Sequence, residues 1–327
     1  MMEITASLAF EVCGHLGRLI RRFQPEILHF VDQPGMVLGM TRRLYPWLPV
    51  TVTKATVGMH EGLRRMAYRR WVVAGLRGAS RIVTHTSAAA RRLEAYGVEA
   101  ERLVVIPWGT PRAAPLSGDR RRRIRERYGC GEGEPLLVAG LRGDPACVKD
   151  DFRGLWAAAD RFDLRCVVAA RPAQHVLLSR LMFDARPSSR KGRLWLERGP
   201  DDFPDLLAAA DAFIGGRDQG TNTSLIPLTW LEAIARGTPV IVPDRPGVRE
   251  CVVDGVHGWV YRPDEQWSSL LARIRRSGPP PRVPGNVTAA FGRRFSIDVV
   301  VERYIRVWED VRRGAESGAV AGKAYSR

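Results

Sequence analysis

Between Asp211 and Tyr261 the sequence reads DAFIGGRDQGTNTSLIPLTWLEAIARGTPVIVPDRPGVRECVVDGVHGWVY, and its residue types suit a charged, hydroxyl-rich ligand. A strand is expected to end at Gly215-Gly216 and a polar loop to follow from Arg217 to Ser224. A helix then begins near Ile226, with Pro227 in its first turn. Free backbone N–H groups at a helix start attract anions, and glycines let a ligand approach the backbone closely. Glu232 sits in an otherwise apolar stretch, LTWLEAIA. A carboxylate there needs polar partners, and a vicinal diol such as ribose offers it two hydrogen-bond donors.

Such a site needs a rigid scaffold. Short β-branched runs alternate with amphipathic segments along the chain, the pattern of βαβ units around a parallel sheet. Strands are expected at Glu26 to Val31, Pro49 to Lys54, Arg81 to His85, Leu103 to Pro107, Pro135 to Gly140, Arg165 to Ala170, Ala212 to Gly216 and Pro239 to Pro243. Helices are expected over SAAARRLEAYG, with Ser87 as cap and Gly97 as terminator, and over DDFRGLWAAADRF, DFPDLLAAAD and IPLTWLEAIARG. A long amphipathic helix follows Ser296. Two Pro- and Gly-rich stretches, Trp108 to Gly118 and Ser277 to Asn286, read as separators, and the tail after Gly314 reads as frayed.

The 327 residues suffice for two α/β domains, and 45% hydrophobic residues suit a globular core. No apolar run approaches the roughly 18 residues of a membrane helix. The opening residues lack the basic leader of a signal peptide, so a cytoplasmic protein is expected. Five scattered cysteines read as reduced thiols, and no metal-ligand cluster is visible. The net charge of +16 attracts polyanions. Arginines crowd the expected helices at Arg18, Arg21, Arg22, Arg42, Arg43, Arg64, Arg65, Arg69, Arg70 and from Arg120 to Arg123. They read equally as a basic surface or as solvated helix faces. A specific nucleic-acid function has only the charge behind it, with no motif and no interleaved aromatics.

The run LEAIARGTPVIVPDRPGVRECVVDGVHGWVY resembles the donor-binding signature of the family 4 retaining glycosyltransferases. That resemblance implies an α/β protein of the GT-B fold, two facing Rossmann-like domains with parallel sheets. It implies that Glu232 holds the nucleotide ribose. A second Glu normally lies eight residues earlier against the donor sugar. Ser224 stands there instead, and Asp218 is six residues out of register. In PLLVAGLRGDPACVKDDFRGLWAAA, Arg142 and Lys149 resemble the pair of cations that clamp the donor pyrophosphate, though their spacing is looser. Two such cations neutralise a diphosphate leaving group, so catalysis is expected to be largely electrostatic. Gly140, Thr223, Leu225 and Ile226 complete the implied donor site. LWLERGPDDFPDLLAAADAFIGG resembles the segment whose backbone meets the base, and Arg249-Glu250 fits a Gly-x-x-Glu element. RIVTHTSAAARRLEAYGVEAERLVVIPWGT resembles the end of the N-terminal domain, with Trp108 where the family usually has Asn.

The resemblance implies sugar transfer from a nucleotide diphosphate sugar to a glycan or lipid-linked acceptor, with retention and with no cofactor beyond that donor substrate. The expected division is residues 1–110 as a partial acceptor-side domain and 111–290 as the donor domain. Residues 291–327 are a helix and tail packing back on the first domain. The front is short: PEILHFVDQPG resembles a middle strand, so the family's opening strands and glycine-rich loop are expected to be missing and a sheet edge exposed. His29, near a strand end, is the acceptor-side candidate, whereas His60 and His85 read as structural and His257 as a turn residue. The basic N-terminal helices suit the inner face of an anionic membrane. Ser224 and the short front also support another reading, a non-catalytic nucleotide-sugar-binding remnant or partner-dependent half-enzyme. A sugar-nucleotide epimerase on the same fold is an analogy of fold alone.

Overall fold

The computed structural model describes residues 6–32, 35–54, 73–131, 133–141, 144–185, 194–199, 201–217 and 226–324. The chain divides into two compact units, with boundaries after Trp108 and after Ile297.

The first unit holds a four-stranded sheet of β1 (Leu28–Val31), β2 (Val50–Thr53), β3 (Arg81–Thr84) and β4 (Leu103–Val105) in that order. Every pairing is parallel. Helices α1 (Ala6–Phe23), α2 (Gly35–Leu44) and α3 (Ser87–Ala95) come from the front of the chain, and α11 (Ile297–Ala324) returns from its end. Strand alternation sends Val50, Val52 and Ile82 into one cluster with Leu38 and Leu93. Val83 and Ile106 point into another with Val300 of α11. Both faces are therefore covered, as a parallel sheet requires. The side chain of Thr86, rather than Ser87, caps α3 by accepting from the Ala89 amide at 3.1 Å. Gly97 ends it at φ 95°, where a side chain would be strained. β1 lies at a sheet edge.

The second unit holds six parallel strands: β5 (Leu136–Gly140), β6 (Arg165–Ala170), β7 (Leu194–Arg198), β8 (Ala212–Gly215), β9 (Val240–Pro243) and β10 (Gly258–Tyr261). Their order is β10-β9-β8-β5-β6-β7. This is the doubly wound arrangement, and its order reverses between β5 and β8. Its helices are α4 (Gly118–Arg127), α5 (Pro145–Phe162), α6 (Pro172–Ala185), α7 (Phe203–Ala209), α8 (Leu228–Ala235), α9 (Trp267–Ser277) and α10 (Gly285–Phe295). Leu137, Phe152, Leu155, Val168, Ile214 and Ile241 anchor the core on one face. Gly258 sits at φ 136°, and a Cβ there would collide with the Val240 backbone, so β10 can only pair through glycine.

Several expectations change. β7 and β10 are strands that the apolar-run criterion passed over. Both are edge strands, and polar or half-exposed residues interrupt them. The separator after Ser277 gives way to α10 at Gly285. The tail does not fray at Gly314, because α11 runs to Ala324. The arginines of α4 are mostly not a free basic surface. Arg120 pairs with Asp202 and Asp205, Arg121 and Arg125 both pair with Asp211, and Arg127 pairs with Asp202. They staple α4 onto α7 and the start of β8. No helix among the described residues is long and apolar enough to cross a membrane.

Candidate functional site

The strand order reverses between β5 and β8, and the carboxyl ends at such a reversal are where ligands of doubly wound sheets bind. Gly140 and Gly215 face each other across the strand pair, and the Gly216 amide donates to the Gly140 carbonyl at 3.0 Å. Neither glycine has room for a side chain. A Cβ on Gly140 would lie 2.7 Å from the Phe213 ring, and one on Gly215 would lie 2.8 Å from the Trp230 indole. The strand ends are thus bare backbone because rings are packed behind them.

A buried polar strut fixes the point where the chain leaves β8. Asp151 of α5 is 1% exposed. Its carboxylate accepts from the Arg217 amide at 2.8 Å, from Arg217 Nε at 2.7 Å and from the Trp267 indole N–H at 3.1 Å. Arg245, just past β9, donates through Nη2 to the Gly216 and Arg217 carbonyls at 2.9 and 2.8 Å. The Tyr261 hydroxyl of β10 donates to the Gly215 carbonyl at 2.8 Å, and burial pushes its pKa well up, so it stays a donor. Three elements therefore hold the three residues Gly215, Gly216 and Arg217.

Two of the expected site residues lie on the helices that meet this frame, α5 through Asp151 and α8 through Trp230. Lys149 lies in the first half of α5, half-buried, and makes no ion pair among the described residues. The cap of that helix is Asp144, whose Oδ1 accepts from the Ala146 and Cys147 amides at 2.9 Å each. Glu232 lies on α8 between buried Leu231 and Ala233, itself half-buried. Burial raises its carboxyl above the usual range, and the charge of Arg236 partly offsets this. Among the described residues its side chain accepts no hydrogen bond. Ile226 is buried, and α8 starts at Leu228 with Pro227 as its cap residue, slightly later than expected. Arg142, Asp218, Thr223, Ser224 and Leu225 lie outside the described residues, as do His60 and Arg64, Arg65, Arg69 and Arg70.

His29 takes another part. It is the second residue of β1, not its end. Nδ1 lies 2.8 Å from the Thr51 hydroxyl and Nε2 lies 2.9 Å from that of Thr53, while the Trp308 indole N–H donates to Nδ1 at 3.3 Å. The ring is also edge-on to Tyr304 and Trp308. Both nitrogens have partners inside the first unit: two hydroxyls of β2 and, for Nδ1, the indole of α11. His257 accepts from the Val253 amide at 3.0 Å and serves its turn as expected.

The strut yields a stability prediction. Asp151→Ala strands the Arg217 charge in a buried site and should cost about 3–5 kcal/mol in urea unfolding, the usual result of halving a buried pair. Asp151→Asn keeps one acceptor and should cost less. A loss below about 1 kcal/mol for Asp151→Ala would mean that the strut does not hold the strand end.

Comparisons with known proteins agree with this architecture. A model of Glycosyltransferase Family 4 matches residues 5–113, and one of Glycosyl transferases group 1 matches residues 190–277. A curated relative, D-inositol 3-phosphate glycosyltransferase of Nocardia farcinica (strain IFM 10152), is 28% identical over 265 residues, covering 75% of this chain. The chain spans 56% of that relative's length in the match. Among solved structures, Anabaena HepE in complex with UDP-glucose aligns with a TM-score of 0.73 at 15% identity, covering 91% of this chain and 84% of that one. Sucrose-phosphate synthase of Thermosynechococcus elongatus aligns with a TM-score of 0.75 at 14% identity, covering 94% and 79%. At such identities the structures speak for the fold, and the two family models fall one on each unit. Together the two family models and the shared fold support a family 4-like glycosyltransferase of GT-B fold.

Proposed function

We propose that this chain transfers a sugar from a nucleotide diphosphate sugar to an acceptor hydroxyl, with retention at the anomeric carbon. The carrying observation is the β5–β8 crevice. There a strand end is stripped to backbone and locked in place, and the helices that meet it carry Glu232, half-buried with no side-chain hydrogen bond among the described residues, and Lys149, which makes no ion pair among them. Glu232 accepts the two ribose hydroxyls. Lys149, with Arg142, neutralises the departing diphosphate, and the amides around Thr223 to Ile226 and the backbone at Gly140 close around it. The Anabaena neighbour was crystallised with UDP-glucose, which makes uridine the first base to test. A glycan or lipid-linked molecule is the acceptor class, and the Nocardia relative's name adds a phosphorylated polyol.

A surface of the first unit supports an encounter with anionic lipid in the cytoplasm. Leu19 and Phe23 lie one turn apart on α1, 50% and 65% exposed, and Trp47 is 70% exposed beyond α2. Arg18, Arg21, Arg22 and Arg43 belong to the same two helices. Exposed aromatic and aliphatic groups among arginines suit a headgroup layer. Phe23→Ala with Trp47→Ala should weaken co-sedimentation with phosphatidylglycerol vesicles. Wild-type binding should fall as salt rises, since surface charge is screened within about 10 Å at 0.1 M. Binding that ignores both changes would remove the lipid from this account.

Donor binding is tested by calorimetry with UDP, GDP and ADP. Glu232→Ala should weaken the preferred nucleotide roughly 10- to 150-fold, the loss of about 1.5–3 kcal/mol from hydrogen bonds to a charged group. The pH dependence has a defined sign. Ribose hydroxyls favour the charged carboxylate, whose pKa in the free protein is raised. Affinity should therefore increase as pH rises through that raised pKa, and Glu232→Gln should flatten the profile. Equal binding by wild type and Glu232→Ala would take the ribose away from this residue.

A further inference from the structure

The amino edge of the second unit's sheet, one strand length or roughly 16 Å from the donor crevice, holds an open cavity of about 640 Å³. It lies among the approach to β5, the turn into β6, the residue before β8, helix α4 and the end of α9. A volume of this size takes up a small organic molecule whole. Four guanidiniums line it: Arg121 and Arg125 of α4, Arg165 at the start of β6 and Arg275 in the last turn of α9. Three carboxylates oppose them, from Glu134, Asp163 and Asp211.

The carboxylates do not balance the cations. Asp211 accepts from Arg121 at 3.0 Å, from Arg125 at 2.7 Å and from the Leu136 amide at 2.8 Å, so one negative charge serves two guanidiniums. Arg282 adds a third cation nearby. It is held by the carbonyls of Ala210 and Arg236 at 3.0 Å each, which lend it no charge. Burial pushes its pKa down, and the charges of Arg121 and Arg125 push the same way while Asp211 opposes. A guanidinium pressed by its neighbours in this way reports a positive potential at this edge. Glu134 is matched by Arg165 at 3.0 Å. Asp163 and Arg275 are both exposed, and Arg275 makes no ion pair among the described residues. The carboxyl ends of α5 and α9 each bring about half a negative charge, which reduces the excess without cancelling it.

We infer that this cavity binds the phosphate group of a small molecule, at a site separate from the donor crevice. Arg121, Arg125 and Arg282 supply the field, and Arg275 supplies donors that no carboxylate of the chain has taken. Fastening α4 and attracting an anion are compatible, because two guanidiniums on one carboxylate keep part of their charge for a third party. A phosphate dianion gains more from that excess, and from guanidinium geometry, than a neutral sugar does. The volume leaves room for the organic part of a phosphate ester beside the phosphate. No residue assigned to the donor is used, so the site does not rest on the function proposed above.

The test is calorimetry with inorganic phosphate and with glycerol 3-phosphate, each with and without saturating UDP, at an ionic strength held constant with chloride. One saturable site should persist under UDP, and the tighter titrant names the source, free ion or ester. Arg275→Gln should weaken binding about ten-fold, the low end for a hydrogen bond to a charged group, and Arg275→Glu should weaken it further. Asp163→Asn removes an opposing charge and should tighten binding, since asparagine accepts the left-handed φ of 56° found there. Both positions are exposed, so all three variants should fold and keep the UDP affinity of the wild type. No binding of either titrant, binding that UDP displaces, or wild-type binding by Arg275→Glu overturns the site. Phosphate binding that responds to Arg275→Glu in a protein that ignores UDP would instead sink the donor reading and leave this site standing.

Discussion

The Asp151 carboxylate is the constraint on which the donor-side architecture depends. Burying a charge is costly, and the cost is met here only because three donors converge on it: an amide, a guanidinium and an indole. Those donors come from the end of β8 and from the start of α9. Satisfying one carboxylate therefore fixes where a strand stops and where a helix begins. Arg245 and Tyr261 finish the work by taking the carbonyls that the strand end would otherwise leave open. The result is a rigid, backbone-lined ledge at the topological switch point, which is what close approach to a diphosphate demands.

The excess of arginine resolves into separate uses. On α4 the guanidinium groups are consumed by Asp202, Asp205 and Asp211 and act as fasteners. In the crevice, Arg217 and Arg245 are tied to the chain itself, so they shape the ledge rather than meet a ligand directly. Lys149, without an ion pair among the described residues, is left for the proposed diphosphate, and the exposed set on α1 and α2 for the proposed membrane contact. Net charge alone could not separate these, because it counts fasteners and free cations alike.

Much of the fold could be read from the sequence, for a physical reason. Central strands of a parallel sheet are buried on both faces, so runs such as PLLVAG and RCVVAA stay apolar throughout and announce themselves. β7 and β10 escaped because an edge strand tolerates Glu197, Arg198 or a half-exposed Trp259. The half-buried place of Glu232 on a helix was legible because its signal is local, a charge inside an apolar stretch. The Asp151 strut was not, since its partners lie 66 and 116 residues away along the chain. His29 stands two residues before the end of β1 at Val31, and its ring lies edge-on to Tyr304 and Trp308, partners far along the chain that no local pattern reveals.

The central claim is that the crevice breaks the bond between a sugar and a nucleoside diphosphate. Phosphorus NMR of the protein incubated with UDP-glucose, GDP-mannose and ADP-glucose, with polyol and lipid-linked acceptors present, observes that bond directly. The account predicts that one donor's pyrophosphate signals convert to those of the free nucleoside diphosphate, as the proton spectrum shows a new glycoside with the donor's anomeric configuration. A protein that binds the nucleotide through Glu232 yet leaves all three donors intact under these conditions would contradict it.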